Sequence, residues 1–123
     1  METPNPSKPP QPSSQDVEKM IRDYQLVQEQ LRSVSLQVEQ LQVQKSELQA
    51  AKEEVGKASG KVYVTIGSVI IETDKETALK NIDEKSESSG IRLQSTNKQL
   101  VELKAKEKQL REKITAISNQ MQQ

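Results

Sequence analysis

Few side chains in this sequence are equipped for covalent chemistry. There is no His and no Cys, which removes the commonest general base, the commonest metal ligand, thiolate metal sites and disulfides. Acids stand side by side at Glu53-Glu54 and Asp83-Glu84. Nothing apolar surrounds them to raise a pKa for acid–base work, so they read as solvated helix faces. The run Gly56-Lys57-Ala58-Ser59-Gly60-Lys61 hints at phosphate binding. It departs from a P-loop twice: Ala51 stands where the first Gly is needed, and Ala58 follows Lys57 where a Ser or Thr belongs. The residue types point away from an enzyme, a metal or a cofactor, and towards binding that proceeds without ATP.

Composition narrows what such binding would be built on. A chain of 123 residues is at most one domain. Apolar residues make up 32%, with two Tyr and no Phe or Trp, too little for a sizeable globular core. Charged residues at 29% among strong helix formers suggest long helices or a coiled coil instead. Lys plus Arg and Asp plus Glu number 18 each, so no net charge draws the chain to nucleic acid or to an anionic membrane. No signal-peptide core opens the sequence, and no run approaches the ~20 apolar residues of a membrane span. A soluble, cytoplasmic protein is expected.

The elements come in a simple order. Residues 1–15 hold all five prolines among Ser, Asn and Gln, and read as a disordered tail. The alternative is a polyproline ligand, through the spacings Pro6 to Pro9 and Pro9 to Pro12. A helix is expected over 16–55, with Asp16 as N-cap or as a first-turn acid. Its heptad seam runs Val17, Met20, Tyr24, Val27, Leu31, Val34, Val38, Leu41, Lys45, Leu48, Lys52, Val55, and Gly56 is expected to stop it. A second helix is expected over 74–121, opened by Thr73 with Glu76 at capping-box spacing or by Asp74. Its seam is Leu79, Ile82, Ser86, Ser89, Leu93, Thr96, Leu100, Leu103, Glu107, Leu110, Ile114, Ile117, Met121. The matching lengths predict an antiparallel pair in which Leu41 faces Leu93, Leu31 faces Leu103 and Tyr24 faces Leu110. Lys45 and Leu48 then fall opposite Ser89 and Ser86, next to Gly90. This softer zone is either a hinge or a place repacked by a neighbouring chain.

Between the helices lies the one dense β-branched stretch, residues 62–73. Gly67-Ser68 reads as a two-residue type II′ turn. Alternation puts Val62, Val64, Ile66, Val69 and Ile71 on one face, and Tyr63, Thr65, Ile70 and Glu72 on the other. An isolated hairpin is marginal in water, and its edges invite further strands. Either hairpins of several chains assemble and bury this face, or the hairpin folds back on its own helices. At the free helix ends, Ile21 and Leu26 are apolar but off the seam. With Met20, Tyr24, Ile114, Ile117 and Met121 they form a candidate patch for unfolded chains. Ordinary seam packing with scattered surface residues, as at Leu36 and Val43, is the plainer reading.

Helix, short hairpin and returning helix, with Val62-Tyr63, Gly67, Val69-Ile70-Ile71 and Asp74-Lys75-Glu76-Thr77-Ala78, resemble the β-type subunits of prefoldin over about residues 16–121. The stretch from Gly56 to Thr73 has room for one hairpin, whereas α-type subunits carry two. The turn is Gly67-Ser68 where many relatives have Gly-Pro. The resemblance implies a hexamer with α-type subunits, two α and four β, whose hairpins close a β-barrel between subunits. It also implies ATP-independent binding of unfolded client proteins at the coiled-coil tips, and their transfer to a group II chaperonin. On this reading the assembly residues are Val62, Val64, Ile66, Gly67, Val69 and Ile71, and the client-binding residues are Met20, Ile21, Tyr24, Ile114, Ile117 and Met121. A coiled-coil scaffold or spacer is the rival.

Overall fold

The computed structural model of the chain describes residues 13–121. The tail up to residue 12, with its disordered and polyproline readings, lies outside the described residues, as do residues 122 and 123. The elements are helix α1 (Ser14–Lys57), strand β1 (Val62–Ile66), strand β2 (Val69–Thr73) and helix α2 (Lys75–Met121). The fold is therefore mainly α, two long helices with an antiparallel hairpin between them.

Local chemistry sets each boundary. The Asp16 amide donates to the Ser13 hydroxyl and the Ser13 amide donates to the Asp16 carboxylate, both at 3.2 Å. This reciprocal capping box makes Ser13 the N-cap and Asp16 the first-turn acid. Ser14 and Gln15, expected in the tail, are helical in consequence. At the other end, Gly56 does not stop α1. Its φ is not positive, and a helical glycine costs only about 1 kcal/mol relative to Ala, so the helix continues to Lys57. The positive φ of the approach falls later, at Gly60 (115°). The Lys75 ammonium donates to the Gly56 carbonyl at 2.7 Å, satisfying one of the carbonyls that the helix end leaves without an intrahelical partner.

Asp74, not Thr73, caps α2. The Thr77 amide donates to its carboxylate at 2.6 Å and the Ala78 amide to its carbonyl at 3.0 Å. The Thr77 amide, then the Thr77 hydroxyl, holds the Asp74 carboxyl below its ordinary 3.8. The cap is therefore fully charged above that value and is lost only as pH falls through the lowered one.

In the hairpin, Gly67 has φ 61° and Ser68 has no positive φ, the pattern of the type II′ turn. The register pairs Val62 with Thr73, Val64 with Ile71 and Ile66 with Val69, as the turn predicts.

The chain divides into a hairpin unit (Arg32–Val101) and a terminal unit, formed by the residues up to Leu31 and those from Glu102. In the hairpin unit Val34, Val38, Leu41, Ala78 and Ser89 are buried; in the terminal unit the most enclosed residue is Val27, 1% exposed. Every expected seam residue is buried or half-buried except Lys45, Lys52, Ser86 and Met121.

The softer zone resolves into specific contacts. The Ser89 hydroxyl, buried, donates to Gln44 Oε1 at 3.4 Å. Lys52 meets Asp83 at 2.8 Å, with both side chains 55% exposed, so that pair adds little. Gly90 is helical, and no atom lies within 4 Å of where a Cβ would sit. Gly90→Ala should therefore stabilise the folded chain by about 1 kcal/mol, measured by denaturation followed by circular dichroism. A loss of stability would mean that α2 needs glycine's freedom at this point.

Candidate assembly and binding surfaces

The hairpin presents its apolar face incompletely covered. Val62 and Val64 are half-buried, while Ile66, Val69 and Ile71 are exposed beside the turn glycine Gly67. Exposure of the hairpin's isoleucines runs from 44% at Ile71 to 69% at Ile70, which lies on the opposite face. The hairpin thus folds back far enough to half-cover two valines and no further. Lys61 and Glu72 pair at 3.0 Å on the exposed flank, adding charge near one edge without covering apolar surface.

Under the strands is a feature that hydrophobic periodicity missed. Val64 and Ile66 form one wall of an open concavity of about 370 Å³, whose floor is Asn81, Glu84, Lys85 and Ser88 of α2. A second concavity, of about 340 Å³, continues along the same helix over Glu84, Glu87, Ser88, Ile91 and Arg92. The shared Glu84 and Ser88 make them one trough. Ile91, off the seam and 63% exposed, was the signal available in the sequence, and small Ser88 keeps the floor open.

The expected tip residues do not behave as one patch. Met20, Tyr24, Ile114 and Ile117 are half-buried in the terminal unit, whereas Ile21 is 41% and Met121 71% exposed. Tyr24 has a specific task there. Its hydroxyl donates to Glu107 Oε1 at 3.0 Å, about one turn along α2 from the Leu110 that the seam register pairs with it. Arg111 Nη1 approaches the same oxygen at 3.8 Å. Glu107, the charged residue in the second seam, is therefore explained by its partner Tyr24, a pairing visible only once the two helices are set side by side.

The hydrogen bond to Glu107, followed by burial and the carboxylate's charge, pushes the Tyr24 hydroxyl above its ordinary 10.0; Arg111 pulls the other way. The bond requires the protonated phenol, so its contribution is intact below 10.0 and is lost as pH rises through the higher folded value. In a Tyr63→Phe variant Tyr24 is the sole tyrosine. Its tyrosinate absorbance should then titrate with a midpoint above 10.0, and a midpoint at or below that value would show that the Tyr24–Glu107 bond does not persist in solution.

Comparison with known proteins agrees with this architecture. A family model described as "Prefoldin subunit" matches residues 18–122. Among curated relatives, prefoldin subunit beta of Pyrococcus abyssi is 41% identical over 56 residues, covering 46% of this chain and 48% of that protein. Prefoldin subunit beta of Pyrococcus furiosus is 40% identical over 55 residues, covering 45% and 47%. The chain spans about half the length of the curated relatives it matches. The crystal structure of the prefoldin beta subunit from Thermococcus strain KS-1 is similar with a TM-score of 0.75 at 28% identity, over 87% of this chain and 96% of that one. A family match that begins in α1, crosses the hairpin and runs to the end of α2 establishes that the chain belongs to the prefoldin subunit family, with the fold of its β type.

Proposed function

We propose that this chain is a subunit of an ATP-independent molecular chaperone that binds unfolded polypeptides and transfers them to a group II chaperonin in the cytoplasm, with no catalysis of its own. The observation that carries the reading is the hairpin: five β-branched apolar residues on one face, three of them exposed. Each aliphatic side chain gains about 1.5–3 kcal/mol on full burial, so this face supplies a drive to associate for which a monomeric spacer has no use. The partners are α-type prefoldin subunits, in a hexamer of two α and four β chains whose hairpins close a barrel. Val62, Val64, Ile66, Val69 and Ile71 line its interior and Gly67 makes the turn. No helix of the described residues is long and apolar enough to cross a membrane.

Client contact is assigned to the terminal unit. Ile21 and Met121 offer the exposed apolar surface; Met20, Ile114 and Ile117 become available where the helix ends fray, and Tyr24 braces them. Flexible Met with aliphatic neighbours suits clients that share no sequence.

Two experiments test the halves separately. Val64→Asp combined with Ile71→Asp should abolish the hexamer formed with an α-type partner, read by native mass, while circular dichroism shows the helices retained. Assembly at full mass would remove the barrel assignment. Ile21→Gln combined with Met121→Gln should leave the native mass unchanged and weaken suppression of client aggregation several-fold. Undiminished suppression would place clients elsewhere, and a wild-type chain that neither assembles nor suppresses aggregation would be a scaffold.

A further inference from the structure

We propose that the subunit interface does not end at the hairpin but continues onto α2, where the trough over Asn81, Glu84, Lys85, Ser88 and Ile91 seats the hairpin of an adjoining prefoldin subunit. The inference rests on the assembly reading above and adds to it a helical half of the interface.

The geometry is what forces the two halves together. Val64 and Ile66 belong to the apolar face that assembly must cover, and the space directly against them has α2 as its floor. A neighbouring chain that covers these two side chains from this side enters the gap between β1 and α2. The floor residues recur at helical spacing, 81, 84, 85, 88, 91 and 92, so they form one continuous stripe leading away from the hairpin. Ser88 stands at its centre, common to both concavities, and is the smallest side chain on the stripe. The stripe runs past Ile91, an aliphatic that its own chain leaves 63% exposed. Glu84, Glu87, Lys85 and Arg92 line it with both signs of charge, and Val64, Ile66 and Ile91 are its apolar members. The occupant with matching chemistry is a short strand rich in β-branched residues, and the hairpin of a sibling subunit supplies it. Ser88 then acts as a size gate for assembly.

The test uses the full-length chain with its α-type partner. Ser88→Trp fills the trough while pointing into solvent in the free subunit; Lys98→Trp places the same bulk on an exposed part of α2 outside it. The concentration needed to reach full native mass should rise by about tenfold or more for Ser88→Trp and stay unchanged for Lys98→Trp. Assembly of Ser88→Trp at the wild-type concentration overturns the proposal, as does equal failure of Lys98→Trp. A second measurement avoids bulk altogether. The chain has no cysteine, so Ser88→Cys carries a single thiol, which assembly should protect from alkylation; an equal alkylation rate before and after assembly also overturns the proposal. If Val64→Asp with Ile71→Asp blocks assembly while Ser88→Trp does not, the helical half alone fails. If both assemble, the hairpin reading itself has failed.

Discussion

A mismatch between apolar surface and the means to cover it governs this molecule. Two five-residue strands of mostly β-branched residues fold against each other around Gly67, and the chain has no third strand among its described residues to extend them. Its helices bury or half-bury the apolar side chains of their seams, Met121 excepted, and leave others such as Leu36, Val43 and Ile91 exposed. What they leave to the hairpin is partial shelter for Val62 and Val64. A two-stranded sheet of this size is marginal by itself, so its persistence depends on the clasped helix ends below it and on whatever covers it from outside.

The helices solve a different problem. A seam read strictly would be apolar throughout, yet Lys45, Lys52, Ser86, Ser89, Thr96 and Glu107 interrupt it. Each interruption has its own local answer. The lysines and Ser86 turn to solvent, the Thr96 hydroxyl donates to the Arg92 carbonyl, Ser89 bonds Gln44 and Glu107 bonds Tyr24. Polar contacts of this kind add little net stability, but they are specific. A one-residue slip of α1 against α2 would leave the half-buried Glu107 without its phenol, and an unpaired buried polar group is what makes a wrong register costly.

Much of this was legible in residue order. The turn type, strand register and face assignment followed from Gly67-Ser68 and from the alternation around it, because a two-residue turn leaves the chain no other pairing. The helices were legible from their seams. Their ends were less so: Gly56 looked like a stop, and only its backbone angle shows that it is an ordinary helical residue, while Ser13 was lost in a proline-rich neighbourhood although its capping partner Asp16 was in view. The tip patch was legible as composition but not as exposure. Which side of Tyr24, Ile114 or Ile117 faces a neighbour depends on where the second helix lies, and spacing along one helix does not contain that. The trough on α2 escaped for the same reason, since its wall and floor come from elements separated by the turn and the cap.

The Tyr24–Glu107 bond joins residues 83 apart in sequence, whereas the hairpin joins residues as close as Ile66 and Val69. That contrast is one of closure cost. Loop closure favours the near pairs, so the phenol–carboxylate bond forms against a larger entropic cost than any pair of the hairpin. Each nearer pair shortens the loop that the more distant one has to close.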